Sequence, residues 1–322
     1  MGLFCGFLFY CKNVMIILGV TAKMKQFAWG VGLTVLFALV GVPAAQADNK
    51  YLPDLTGIYW HQDPAAHSGM MLVLPDVLPM IAIVIDDAGI DVKRSARAVR
   101  NLKAPVTMSY LAYARNIREQ VAAAREKGHE VILHMPWEAD RPTADPGLHH
   151  LSVSMSQEQV QKNLKANLDS FEGYVGVNNH MGSKFSRHRA GLEVVMAELK
   201  KRGVFYLDSR TTADSIAETV AREYDVPAAQ RDVFLDHEEN AQMVGSSLQA
   251  VEDIARRTGS AIAIGHPKDV TLDRLEAWLP TVEARGFRLV PLSKVIAFRT
   301  QALQARLAHW DSGGAAVGRQ KD

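Results

Sequence analysis

Short apolar runs alternate with amphipathic segments through the middle of the chain. The runs are rich in Ile, Val and Ala, as at 81–85 and 260–264, and this composition predicts strands buried on both faces. Apolar residues at helical spacing predict intervening helices at 90–102, 114–127, 156–171, 189–202, 246–258 and 271–285. Because the strand–helix unit recurs about seven times, we predict an α/β fold with a parallel sheet, open or closed into a barrel.

The N-terminal region has the pattern of a secretory signal peptide. A basic start at Met24 precedes an apolar stretch over 27–42 and the small-residue site Ala45-Gln46-Ala47. We therefore expect residues 1–47 to be removed on export, and a periplasmic protein without stable membrane insertion after cleavage. Residues 1–23 precede this signal, which leaves open an upstream start assignment, an extended signal or a two-part anchor.

The remaining chain is predicted to form one domain with irregular ends. We expect a flexible lead-in over 48–79, a folded domain over 80–300, and a tail over 301–322 that is disordered towards its end. The composition is that of a globular protein, with 48% hydrophobic residues, 22% charged residues and a net charge of +1. This balance, without basic runs, argues against a nucleic-acid partner.

Cysteine chemistry is excluded from the predicted mature protein. Both cysteines, Cys5 and Cys11, precede the expected cleavage site. Disulfides, zinc–cysteine sites and cysteine nucleophiles are therefore all ruled out for the exported form.

Acidic or imidazole side chains follow five of the predicted strands. These residues are Asp86, Asp87, His134, His180, Asp208 and His266. Because the carboxyl ends of parallel strands meet at one edge of a sheet, we expect these side chains to share one pocket. Carboxylates beside a core are costly unless a cation or a proton compensates them. The pattern therefore predicts a metal-assisted hydrolytic site.

Five motifs resemble those of the divergent polysaccharide deacetylases. They are Ile-Asp-Asp-x-Gly, Leu-His-x-Pro-x-Glu, Asn-Asn-His-Met-Gly-Ser, Leu-Asp-Ser and Ile-Gly-His-Pro, and they begin at residues 85, 133, 178, 207 and 264. These are bacterial envelope proteins related to metal-dependent enzymes that remove acetyl groups from N-acetylated sugars. Each motif alone is weakly informative, but all five occur in order over residues 80–297 and are together highly specific.

The resemblance implies a distorted (β/α) barrel of about seven parallel strands and assigns roles to four residues. Asp86 would be the general base and His266 the general acid. Asp87 and His134 would bind a divalent metal, with zinc the preferred ion. The implied substrate is peptidoglycan or another N-acetylated envelope glycan.

The third metal ligand is left open, because Glu138 occupies the position of a histidine in ordinary polysaccharide deacetylases. We favour His180 as the replacement ligand, with Glu138 as the alternative. Two other functions also stay open: a glycoside hydrolase that pairs Asp208 with Asp86 or Asp87, and a non-catalytic protein that binds glycan or an envelope partner.

Several residues are candidates for substrate contact, namely Asn179, Ser183, Asp208 and Trp137. Asp208 is expected to orient His266, bind sugar or cap the following turn. Trp137 is expected to stack on a sugar ring, with a place in the core as the alternative. Asp236 is a weaker candidate for the site because it follows the strand-like run 232–235.

Overall fold

A computed structural model describes residues 5–11, 14–20 and 78–314, with side chains described for residues 78–304. The expected cleavage site at Ala47, nearly all of the lead-in and residues 315–322 lie outside this range. The chain divides into two units, Met1–Pro75 and Asp76–Asp322. In the first unit, strands β1 (Cys5–Cys11) and β2 (Val14–Val20) pair antiparallel.

The second unit alternates strands and helices, as the hydrophobic pattern predicts. Its strands are β3 (Met80–Ala88), β4 (Thr107–Leu111), β5 (Glu130–Trp137), β6 (Gly176–Met181), β7 (Phe205–Asp208), β8 (Ala228–Gln230), β9 (Val233–Phe234), β10 (Ser260–Gly265) and β11 (Arg288–Leu289). Its helices are α1 (Val92–Asn101), α2 (Ile117–Glu126), α3 (Gln157–Leu168), α4 (Arg189–Arg202), α5 (Ala217–Glu223), α6 (Ala241–Thr258), α7 (Asp269–Trp278) and α8 (Leu292–Gly314).

These strands form one parallel nine-stranded sheet in the order β8-β7-β6-β5-β4-β3-β10-β9, with β11 beside the start of β3. Strands β8 and β9 lie at opposite ends of this order but are separated in sequence only by Arg231 and Asp232. The amide of Arg231 donates to the carbonyl of Asp208, the last residue of β7, and the amide of Asp232 donates to the carbonyl of Ile262 in β10. One extended segment therefore links the two edges of the curled sheet. The predicted α/β fold, a distorted (β/α) barrel, is confirmed, with nine parallel strands where about seven were expected.

The sheet is buried on both faces, which explains the unbroken apolar runs. Along β3, Ile81, Ile83 and Ile85 belong to the apolar layer that includes the helices, whereas Ala82 and Val84 belong to a second cluster. That second cluster contains Ile132 of β5, Phe205 and Leu207 of β7, and Ile262 and Ile264 of β10, so it fills the interior of the curled sheet. Residues two positions apart on a strand share a face. The faces of these apolar residues therefore show which side chains at the strand ends point into the interior and which point towards the helices.

The first turns of α8 close the interior cluster, with Leu292, Val295 and Ile296 all buried in it. The helix runs to Gly314 and so continues past residue 300.

Helix α5 and strand β8 are further elements that the sequence pattern did not predict. A capping box begins α3: the Ser156 hydroxyl accepts from the Gln159 amide, and the Gln159 side chain accepts from the Ser156 amide. Within the described residues, no helix combines the length and apolar character needed to cross a bilayer.

Candidate metal centre and active site

Asp86 and Asp87 reach the same cleft although they are neighbours on one strand. Asp86 shares its face with Ala82 and Val84, so it points into the interior at the end of β3. Between Ile85 and Ala88 the pairing with β4 shifts register, and Asp87 has a left-handed backbone with φ of 54°. Such a bulge redirects a side chain that regular alternation would turn away. Both carboxylates consequently approach His134 Nε2, Asp87 at 3.2 Å and Asp86 at 3.8 Å.

Three side chains from three strands converge on one point. Asp87 Oδ1 lies 2.9 Å from His180 Nδ1, and His180 Nδ1 lies 3.3 Å from His134 Nε2. Among the described residues, this trio is the group of His, Cys, Asp or Glu side chains whose ligand atoms all lie within 4.8 Å of one another. One carboxylate oxygen and two imidazole nitrogens form a donor set suited to zinc and similar divalent ions.

The environment of Asp87 fits a bound cation. Its Oδ1 atom is buried and accepts no well-directed hydrogen bond, although the imidazole nitrogens of His134 and His180 lie 3.2 and 2.9 Å away; such a carboxylate oxygen is costly without a partner. Burial raises the pKa of Asp87, but the imidazoles of His134 and His180 outweigh it, and the net pKa is well below the ordinary value. The residues present therefore fit a metal ion held by Asp87, His134 and His180.

Asn178 fixes the orientation of both His134 and Asp86. His134 Nδ1 donates to Asn178 Oδ1 over 2.8 Å, and Asn178 Nδ2 donates to Asp86 Oδ1 over 2.8 Å. Since Nδ1 carries the proton, the lone pair of His134 Nε2 faces Asp87 and is free for a metal. Asn178 is fully buried, and the hydroxyls of Ser109 and Ser209 complete its hydrogen bonds. The sequence reasoning missed this role, although Asn178 stands two residues before His180 on the same face of β6.

Asp236 orients His266 on the opposite side of the cleft. Its Oδ1 accepts from His266 Nδ1 over 2.9 Å, and its Oδ2 accepts from the His266 amide and from Thr271 Oγ1. Burial lowers the pKa of His266, but the Asp236 carboxylate outweighs it and the net pKa is raised. The free Nε2 points towards Asp87, with 3.8 Å to Oδ2. This geometry leaves His266 able to donate a proton into the cleft.

The cleft that these residues share has a volume of about 500 Å³. It is lined by Asp86, Asp87, His134, Asn179, His180, Met181, Ser209, Arg210, Thr211, Arg231, Phe234, His237, Ile264 and His266. Pockets of this size accommodate small ligands or part of a polymer. Acidic and imidazole groups therefore occupy the same cavity as two arginines.

Glu138, the alternative third ligand, is engaged elsewhere. Its Oε1 accepts from Lys184 Nζ at 2.6 Å, and its Oε2 accepts from the Ser152 hydroxyl and the Val153 amide. Burial raises the pKa of Glu138, but these donors outweigh it and lower the pKa to about 2. Glu138 therefore anchors the loop after β5, whereas His180 lies beside Asp87 and His134.

Two of the predicted substrate contacts are turned away from the cleft. Trp137 is fully buried and stacks on Tyr206, with 5.8 Å between ring centroids. It shares the helix-facing side of β5 with Val131, Leu133 and Met135, so the prediction of a sugar platform is wrong for this position and the core alternative holds. Ser183 Oγ accepts from the Asp140 amide over 2.9 Å and holds a neighbouring loop.

Asp208 and Asn179 are buried and have hydrogen-bond partners of their own. Asp208 accepts from the Arg210 amide and the Ser215 hydroxyl, so it holds the loop after β7. The prediction that it orients His266 is wrong, because Asp236 does so. Asp208 points away from the cleft, so it cannot act as the second carboxylate that the glycoside-hydrolase alternative requires. Asn179 lines the cleft, but its Oδ1 accepts from Tyr206 and from the Ser209 amide.

Comparisons with known proteins agree with this architecture. An uncharacterized protein, YibQ, from Escherichia coli K12 is 31% identical over 209 residues, which is 64% of each chain. An uncharacterized protein from Haemophilus influenzae is 33% identical over 201 residues, covering 62% of this chain and 70% of that one. The crystal structure of the uncharacterized protein ATU2773 from Agrobacterium tumefaciens C58 superposes with a TM-score of 0.66 at 29% identity, over 68% of this chain and 89% of that one.

The chain thus spans about two thirds of the length of these sequence relatives, with 64% and 70% matched. The family model of the divergent polysaccharide deacetylases matches residues 83–296, which includes every strand from β4 to β11 and β3 from residue 83 onward. All five motifs from Asp86 to His266 lie within this match. The chain belongs to the divergent polysaccharide deacetylase family.

Proposed function

We propose that this protein is a metal-dependent hydrolase that removes acetyl groups from an N-acetylated envelope glycan such as peptidoglycan. One observation carries the proposal: Asp87, His134 and His180 converge on one point, while Asp86 and His266 flank the same cleft. A metal site between a base and an acid is the arrangement that amide hydrolysis requires.

Asp87, His134 and His180 would hold the ion, and zinc suits their nitrogen and oxygen donors. When bound, the ion would act as a Lewis acid towards the amide carbonyl. Asp86 is oriented by Asn178, and its second oxygen is available to take a proton from the attacking water. His266 carries its proton on Nε2 towards the cleft and donates it to the leaving amine. The glycan lies along the cleft between these groups.

The direct test combines metal analysis with acetate release. We expect about one zinc per chain in the wild-type protein and loss of the ion in Asp87→Ala, His134→Ala and His180→Ala. Glu138→Gln is the matched control, because Glu138 is the alternative third metal ligand and lies outside the group formed by Asp87, His134 and His180. Metal-loaded wild type should release acetate from an N-acetylated peptidoglycan fragment, and Asp86→Asn should bind metal without turnover.

The control also decides the third ligand. If Glu138→Gln loses the ion while His180→Ala keeps it, the site is assembled differently from this proposal. If the wild-type protein binds zinc but releases no acetate from any N-acetylated glycan, a glycan-binding role replaces the enzymatic one. If it binds no zinc at all, both the metal site and the hydrolase assignment fail.

We further propose that the protein acts in the periplasm after removal of residues 1–47. Support comes from the basic start at Met24, the apolar stretch and the Ala45-Gln46-Ala47 site. N-terminal sequencing of the exported protein should give Asp48 as the first residue. Recovery of residues 24–47 in a membrane fraction would contradict cleavage.

A further inference from the structure

Two arginines line the cleft without a carboxylate partner. Arg210 and Arg231 both border the cavity that contains Asp86 and His266. Both side chains are partly buried, and neither forms an ion pair within 4 Å among the described residues, although the charges of Asp86, Asp208 and Asp232 act on Arg231 from farther away. Partly buried cations without a close counter-ion are costly, so an anion supplied from outside would offset part of that cost.

The guanidinium of Arg231 is held rigidly by the protein backbone. Its Nε donates to the Ser209 carbonyl over 2.9 Å, and Nη2 donates to the Arg210 carbonyl over 3.0 Å. The plane also lies over the ring of Phe234, with 5.0 Å from Cζ to the centroid. These contacts use one edge of the guanidinium and leave Nη1 without a protein acceptor among the described side chains. The arginine is therefore pre-organised for a ligand.

Arg210 is fixed beside it by an unusual backbone. Its φ is 51°, a left-handed conformation stabilised where the Asp208 side chain accepts from the Arg210 amide. Its Nη1 donates to Gln230, which is a neutral partner. Burial lowers the pKa of Arg231; the charges of Asp86, Asp208 and Asp232 oppose this change, and that of Arg210 adds to it. The two cations thus lie near enough to repel each other.

We propose that Arg210 and Arg231 form a subsite for a carboxylate-bearing sugar residue next to the deacetylation centre. Guanidinium groups bind carboxylates through paired N–H donors. Asp86 and Asp87 share the cavity, so a ligand group with one negative charge is better accommodated than a dianion. This subsite rests on the proposed function, since it assumes that the glycan occupies this cleft, and it narrows the substrate to an acidic glycan.

The test compares two ligands that differ only in charge. One is a tetrasaccharide of alternating N-acetylglucosamine and N-acetylmuramic acid, and the other is the same compound with its carboxylates converted to amides. Dissociation constants are measured calorimetrically on the zinc-loaded protein. We expect the acid to bind the wild type about 10- to 100-fold more tightly than the amide, as for a charge-assisted contact.

Variants then assign the preference to the two arginines. Arg231→Gln and Arg210→Gln should each remove most of the acid-over-amide ratio while leaving affinity for the amide nearly unchanged. Arg231→Lys should keep part of the ratio, because it retains charge without the paired donors. Arg257→Gln is the matched control, since Arg257 is exposed on α6 and away from the cleft. Because the acid and the amide are measured on the same preparation of each variant, the ratio of their dissociation constants does not depend on the fraction of folded protein.

The outcomes separate this inference from the function on which it rests. Equal binding of acid and amide by the wild type would overturn the acidic subsite and leave the deacetylase proposal standing. An acid preference that survives both glutamine variants would also overturn it. Failure to bind either compound would refute the subsite together with glycan recognition in this cleft.

Discussion

His266 donates from Nδ1 to Oδ1 of Asp236 across 2.9 Å, and its own amide donates to the other oxygen of the same carboxylate. This double contact keeps a proton on Nδ1 of His266, so the second proton, which Nε2 carries in the imidazolium form, is directed into the cleft. The two residues follow neighbouring strands, β9 and β10, which pair in parallel. The orienting carboxylate therefore comes from the strand beside His266, not from β7 where Asp208 lies.

Asp236→Asn should narrow the pH range of activity. The Asp236 carboxylate raises the pKa of His266 against the opposing effect of burial, and a general acid must be protonated to act. Activity falls as pH rises through this pKa, so removing the negative charge should shift the alkaline limb of the pH–rate profile to lower pH. We expect a loss of up to about 10²-fold in kcat near neutral pH.

Glu252→Gln serves as the control for this change. Glu252 is a buried carboxylate outside the cleft that accepts from Trp278 and Arg285. The Glu252→Gln variant should have a lower melting temperature but an unchanged alkaline limb of the pH–rate profile. An unchanged limb in folded Asp236→Asn would remove Asp236 from its orienting role.

Substitutions of Asn178 should separate metal binding from base activation. Asn178→Asp retains an oxygen that accepts from His134 Nδ1, so zinc affinity should stay close to wild type. It also replaces the donor to Asp86 with a second carboxylate, which repels Asp86 and removes its orienting hydrogen bond, so turnover should fall. Asn178→Ala loses both contacts, and zinc affinity should fall about 10- to 100-fold. Zinc titration and acetate release on both variants measure the two effects. Equal zinc affinities of Asn178→Ala and the wild type would argue against a role of Asn178 in fixing the tautomer of His134.

Much of the site could be predicted from the strand ends, and the two-residue period of the strands would have corrected two of the remaining assignments. Ile132 and His134 share the interior face of β5, and Ile264 and His266 share that of β10. Trp137 is out of phase with His134. The same rule places Asp208 out of phase with the interior residue Leu207. A register argument applied to the apolar runs would have excluded both Trp137 and Asp208 from the cleft.

Other features depend on tertiary geometry that the linear pattern does not encode. The approach of Asp87 to His134 requires a bulge and a left-handed residue at a position where Asp gives no clear sequence signal. Arg231 enters the cleft because a short extended segment links β7 to β10, and β8 is too brief to leave a periodic signal. The bonds of Asn178 cross from β6 to β3 and β5, so they depend on the order of strands in the sheet.

Glu138→Gln should lose stability in a pH-dependent way. The folded-state pKa of Glu138 is about 2, below its ordinary 4.5, so its carboxylate stabilises the fold above about pH 4.5 and progressively less towards pH 2. At pH 7 we expect the variant to be less stable by about 1–2 kcal/mol, with partial exposure reducing the full linkage value. Denaturant unfolding of both proteins from pH 7 to pH 2 should show the difference shrinking below pH 4.5. A constant difference would mean that packing, not the charge of Glu138, is responsible.

Trp137→Phe should leave glycan affinity unchanged, because Trp137 packs against Phe185 and Tyr206 on the helix-facing side of the sheet. Its indole Nε1 has no hydrogen-bond partner, so phenylalanine loses volume but no polar contact. Trp137→Ala should destabilise the fold by about 3–5 kcal/mol through the cavity it leaves. Calorimetric glycan binding and thermal unfolding of the two variants separate packing from recognition. A marked drop in glycan affinity in well-folded Trp137→Phe would show that the ring contacts substrate after all, and would require the chain around β5 to open when glycan binds.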